Sequence, residues 1–198
     1  VAYLSDGTQV ASGVPRFEDG KFGKGVLIEE GTTNYLPADI QTWNNQVLDA
    51  SDYSITPVST PYGNGVRLTG TSVGRAGKTT SGNIALGSSY AVASVYFKPN
   101  VSNGNLRIFW DTKDSTGAWR YGTFSSGSIN LANYVPGQWY RLVCTADISP
   151  HAFASGGTGF HIWAEGTFDV EIAAPQLEAK PYATSFTPGT RSSETLTI

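Results

Sequence analysis

The stretch Gly159–Ile172, "GFHIWAEGTFDVEI", decides how this chain folds. Apolar and polar residues alternate on both sides of Glu165-Gly166-Thr167, the period of a strand with one face toward a core. A three-residue connection sets Ala164 against Phe168, Ile162 against Val170 and Phe160 against Ile172, all six on one face. A two-residue loop would set Ile162 against Asp169 and mix the faces. The alternation therefore predicts a hairpin with His161, Trp163 and Glu165 away from the core and Asp169 and Glu171 beside them.

A second stretch, Arg107–Gly122 "RIFWDTKDSTGAWRYG", reads the same way around the turn-forming Asp-Ser-Thr-Gly. Pairing Trp110 with Trp119 sets Ile108 against Tyr121 and Leu106 against Thr123. The opposite face then carries Arg107, Phe109, Asp111 and Arg120. Further alternating segments are Gly25–Glu29, Tyr53–Val58, Gly65–Thr71, Arg75–Thr79, Tyr90–Lys98 and Trp139–Ala146, each bounded by Gly, Pro, Asn or Asp. The last four residues, Thr195 to Ile198, alternate as well and read as an added edge strand or a frayed end. Many short strands with no helical period between them predict an all-β sandwich or jelly roll.

The 198 residues suit one domain, 1–198, and 39% hydrophobic residues suffice for a core. Charged residues make up 15% and the net charge is −3, so no basic field exists to draw a phosphate backbone, which argues against nucleic acid. No apolar run approaches a membrane-spanning length, and the opening "VAYLSDGTQV" lacks the plan of a signal peptide. The absence of Met reads as a segment of a longer protein. Cys144 is the single cysteine, so no internal disulfide forms, and its place in an alternating strand reads as a buried, inert thiol.

Extending the alternation to the long strands gives a composite face. Tyr96 opposes the core-like Val95 and Phe97, and Arg141 opposes Tyr140, Leu142 and Cys144. If these strands share a sheet, its outer face holds Tyr96, Arg107, Phe109, Arg120, Arg141, His161 and Trp163, with Asp111 and Glu165 at the ends. Rings beside guanidinium and carboxylate groups suit a sugar, whose C–H face stacks on an aromatic ring while its hydroxyls bond to charged side chains. Catalysis has thinner support. Asp169 and Glu171 lie two apart on a strand, about 6.5–7 Å by strand rise, near the separation of acid/base carboxylates, but such pairs are common on solvated strands. His151 and His161 have no ligand-spaced partners, and "GKFGKG" lacks phosphate-loop spacing. Asp111, Asp114 and Ser115 lack the ligand pattern of a dedicated calcium loop and read as a capped turn.

Two end segments, Gly25–Leu36 "GVLIEEGTTNYL" and Ala174–Ile198 "APQLEAKPYATSFTPGTRSSETLTI", resemble those of a jelly-roll domain of phage tail, virion and bacterial cell-surface glycan-binding proteins. The middle, with "SYAVASVYFKP" and "VPGQWYRLVCTAD", is similar to the concanavalin-A-like carbohydrate-binding modules. The resemblance covers nearly the whole chain. It implies a two-sheet antiparallel jelly-roll sandwich with neighbouring chain ends, a glycan or polysaccharide partner, neighbouring domains, and a secreted or virion-associated setting. It also implies that a structural calcium is common. The sequence departs from many such modules in having "NYLPADIQTWN" where an early Asn-Gly-x-Phe-Glu signature is usual. The leading expectation is non-catalytic carbohydrate binding, ahead of a structural or adhesive role and of glycan hydrolysis.

Overall fold

The computed structural model describes residues 2–4, 7–11, 14, 16–20, 23–36, 53–80, 90–113, 119–125, 127–147 and 158–193. Sixteen strands are described: β1 Ala2–Tyr3, β2 Gln9–Val10, β3 Arg16–Gly20, β4 Gly23–Leu27, β5 Thr32–Thr33, β6 Tyr53–Thr60, β7 Gly63–Gly70 and β8 Val73–Thr80. They continue as β9 Tyr90–Pro99, β10 Asn105–Lys113, β11 Trp119–Ser125, β12 Ile129–Asn130, β13 Tyr140–Asp147, β14 Thr158–Glu165, β15 Phe168–Glu178 and β16 Thr190–Arg191. The long strands fall into two antiparallel sheets, a jelly-roll sandwich of order β11-β10-β14-β8, with β12 on β10, and order β13-β9-β15-β7-β6.

Alternation explains the layering. Leu106, Ile108 and Ile162 of the first sheet and Leu68, Phe97, Phe168 and Ile172 of the second are fully buried and belong to one core. Each such side chain contributes about 1.5–3 kcal/mol by leaving water. The parity of β15 reverses at a bulge between Ala173 and Gln176, where Ala174 takes φ 50°. Beyond it Leu177 points to the core opposite Ala93, and Gln176 and Glu178 turn to the other side.

That other side is covered by the closing segment. Glu178 is buried and accepts from Thr32 Oγ1 at 2.6 Å, Thr184 Oγ1 at 2.5 Å and Thr184 N at 3.0 Å. Asn34 donates to the carbonyl of Pro175 at 3.0 Å and accepts from Leu177 N at 3.1 Å, and β5 pairs with β16. Glu29 ties in Arg16 at 2.7 Å, Arg191 at 3.0 Å and Ser185 N at 2.7 Å. The opening and closing segments that carry the family resemblance are thus laced to each other.

Two expectations are corrected, and one strand is added to those expected. Gly159–Ile172 is no hairpin: β14 pairs with β10 and β8, while β15 pairs with β7 and β9 in the opposite sheet. The chain turns over at Gly166 (φ 80°), so the two apolar faces meet across the core instead of lying side by side. Alternation is identical in both arrangements. The β10–β11 hairpin forms, but an irregularity sets Trp110 against Phe124 and Lys113 against Trp119, and Leu106 pairs with Ile129 of β12. The β3–β4 ladder includes Arg16–Gly20, whose charged sequence hides its strand character. Thr195–Ile198, His151, Asp114 and Ser115 lie outside the described residues.

Candidate functional site

The register of the first sheet lays out its outer face pair by pair. On β14 the series Gly159, His161, Trp163, Glu165 alternates with the buried Ile162 and Ala164. Across β10 its partners are Asp111, Phe109, Arg107 and Asn105, and across β8 they are Thr79, Gly77, Arg75 and Val73. Five of the expected residues, Arg107, Phe109, His161, Trp163 and Glu165, are therefore neighbours on one face, with Asp111 at its far end.

Trp163 is the centre of this face. Arg107 lies over its ring, with Cζ 4.5 Å from the centroid, and donates through Nη2 to Glu165 Oε1 at 3.1 Å. The side chains of Arg107 and Glu165 remain 27% and 37% exposed, and Trp163 and His161 are half-buried. The result is a partly solvated aromatic plane beside one fixed guanidinium and one fixed carboxylate. Such a set stacks on the C–H face of a ring and exchanges hydrogen bonds with its hydroxyls.

Sequence reasoning missed Arg75, which stands directly opposite Trp163 on β8. Its strand was legible, but its sheet neighbour was not, because strand order depends on contacts between distant segments.

Tyr96 and Arg141 do not join this face. They lie opposite each other on β9 and β13 of the second sheet, so the expectation of one shared trough is corrected. Tyr96 is buried, stacked on Tyr62 at 3.9 Å between centroids. Arg141 lies over Tyr96 and donates through Nη2 to Ser94 Oγ at 2.8 Å and the Thr184 carbonyl at 2.6 Å, bracing the closing segment. Arg120 stands opposite Thr112, two residues along from Trp110, and not in line with Phe109 and Arg107. The irregular pairing on β11 breaks the simple alternation from which Arg120 had been placed.

The carboxylates Asp169 and Glu171 occupy the second sheet and are held in ion pairs. Arg67 bonds Asp169 through Nε at 2.7 Å and Nη2 at 2.5 Å, and Lys98 meets Glu171 at 2.8 Å. The Arg67 fork, helped by Asn100 against the opposing effect of burial, holds the Asp169 carboxyl below its ordinary range. A group so readily ionised is a poor proton donor. Cys144 is free and buried, and burial pushes its thiol up.

No three His, Cys, Asp or Glu side chains among the described residues converge as metal ligands, and the buried Glu29 and Glu178 are already bonded to protein donors. Among the described residues no helix is long and apolar enough to cross a membrane.

No protein-family model and no curated protein sequence matches the chain. Solved structures do. The CBM22-1–GH10 modules of Clostridium thermocellum endo-1,4-β-D-xylanase 10B, complexed with xylohexaose, align at TM-score 0.51 and 12% identity, over 75% of this chain and 28% of that one. A structure of carbohydrate-binding modules from the β-sandwich superfamily aligns at TM-score 0.50 and 11% identity, over 81% and 71%. The enzymatically active domain of bacteriophage CBA120 tailspike protein 4 aligns at TM-score 0.50 and 11% identity, over 73% and 21%. At such identities the likeness is one of fold: the chain has the β-sandwich architecture of carbohydrate-binding modules, an architecture found also in a phage tailspike.

Proposed function

We propose that this chain is a non-catalytic polysaccharide-binding domain that holds sugar on the outer face of the β11-β10-β14-β8 sheet. The observation that carries the reading is Trp163, half-buried, with Arg107 4.5 Å from its ring and Glu165 bonded to that Arg at 3.1 Å. The fold shared with modules crystallised on xylohexaose supports it. The ring offers a stacking plane, and the charged pair offers a donor and an acceptor already oriented. The face is an open sheet, and sugar hydroxyls lose water on binding, so Kd falls on the order of 10 μM to 1 mM. A single domain spanning 1–198, attached to further domains and working outside the cell or on a virion, belongs to the same proposal.

The test is titration of the chain with a broad panel of soluble polysaccharides, with Trp163→Ala as the comparison. Binding by the unmodified chain and its loss in the folded variant is the expected result. Silence across the whole panel ends the reading.

A second reading, a structural or adhesive module, has one observation of its own. On β3 and β4, Phe17 faces Val26 across the ladder, and with Ile28 they are 51%, 42% and 49% exposed. An apolar cluster of this kind suits contact with a neighbouring domain or subunit. Sedimentation tests it: a monomer at high concentration that Phe17→Ser does not alter counts against this reading.

A further inference from the structure

We infer that the face around Trp163 takes an acidic polysaccharide, one whose sugar rings carry carboxylates, in preference to a neutral one. This rests on the carbohydrate reading above and narrows it to a class of substrate.

Trp163 is flanked on both neighbouring strands by arginine: Arg107 is its register partner on β10 and Arg75 its partner on β8. The carboxylate nearest in register is Glu165, opposite Asn105 and Val73, and Arg107 bonds it. Asp111 lies four residues from Arg107 along β10, about 13 Å by strand rise, beyond the screening length of about 8 Å in physiological salt. Lys113 follows it in the same alternate series, at the end of β10. Near Trp163 this face thus holds two arginine positions against one carboxylate, in a chain with 13 Lys and Arg against 16 Asp and Glu. The local sign runs against that of the whole chain.

The chemistry of the row selects the ligand. A hexuronate presents a C–H face to an indole ring while its carboxylate projects from the edge of the sugar. A guanidinium fork beside the stacking plane meets a carboxylate with two parallel N–H bonds, which a neutral hydroxymethyl group in its place cannot accept. Arg107, braced by Glu165, brings such a fork to the indole, and a second arginine stands at the register position on the opposite neighbouring strand. In the adjacent positions Gly77 stands opposite His161 and Gly159 opposite Asp111, and glycine adds no side chain to the face at either position.

The test compares polygalacturonate, alginate and hyaluronate with their carboxyl-reduced, neutral counterparts, with dextran sulfate as a control for charge alone, all titrated into the unmodified chain. The expected result is that at least one polyuronate binds about tenfold more tightly than its reduced form, as the loss of one charge-assisted hydrogen bond requires, and that rising salt erodes the difference. Arg75→Gln, checked for folding by circular dichroism, lowers polyuronate affinity about tenfold, more than it lowers the affinity for the carboxyl-reduced polymer. Equal binding of acidic and reduced polymers, or binding to neutral panel members alone, overturns this inference and leaves carbohydrate binding standing. Dextran sulfate binding as tightly as the polyuronates also overturns it, since charge alone then suffices. Silence of every polymer, neutral and acidic, removes the carbohydrate reading itself. The ligand comparison uses the unmodified chain, so the outcome does not depend on the variant folding.

Discussion

Replacing Arg107 by Met removes the guanidinium but keeps a flexible apolar side chain beside Trp163, which separates a ligand-binding role from a supporting one. Arg107 sits 4.5 Å from the Trp163 ring centroid and 3.1 Å from Glu165, with the two charged side chains 27% and 37% exposed. A cation over an indole at such a site contributes about 0.5–1 kcal/mol and a half-solvated ion pair about 0.2–1 kcal/mol. The fold therefore loses about 1–2 kcal/mol at most, partly offset by sulfur–aromatic contact. In a chain of this length that lowers Tm by less than about 8 °C. Binding has more at stake, because a hydrogen bond from a charged donor contributes about 1.5–3 kcal/mol, or roughly 10- to 150-fold in Kd. Thermal unfolding and isothermal titration with the best glycan of the panel measure the two effects on one sample. Unchanged affinity with a stability loss above about 3 kcal/mol would make Arg107 a structural prop and refute the reasoning.

Thr32→Val, nearly isosteric, takes one donor from the buried Glu178 carboxylate and is expected to cost about 1.5–3 kcal/mol in urea unfolding, whereas Thr33→Val, at an exposed hydroxyl pair, costs under about 0.5 kcal/mol. Burial by itself would raise the Glu29 carboxyl, but Ser185 N–H, Arg191 and Arg16 outweigh it and hold the group below 4.5, as Arg67 holds Asp169 below 3.8. Both groups are depressed in the folded state, so their stabilisation is full above those values and is lost as pH falls through the lower folded ones. Unfolding free energy should decline on acidification below about pH 4.5, and Glu29→Gln should flatten that decline. A profile that is level down to pH 3 contradicts the assignment. Cys144, buried and with its thiol pushed up, should resist a thiol reagent at neutral pH until the chain unfolds, and labelling faster than unfolding refutes its inert role.

Much of this molecule is legible in its amino acids because a strand's alternation is a local property. The burial of Ile162 and Ala164, of Phe168, Val170 and Ile172, and of Leu142 and Cys144 follows from parity alone, as does the placing of Arg107, Trp163 and Glu165 away from the core. The two end segments that carry the jelly-roll resemblance are likewise the ones laced together by Asn34, Thr32 and Glu178. Parity says which way a side chain points from its strand, but not which strand lies beside it. The same alternation serves a hairpin and a crossover between facing sheets, so Gly159–Ile172 misled. Tyr96 and Arg141 share the parity of an outer face, yet that face belongs to the other sheet and lies partly beneath the closing segment. Only long-range pairing put Arg75 opposite Trp163 and separated Arg120 from Arg107. Strand order is settled by burial among segments far apart in the chain, an energy that no local window of sequence contains.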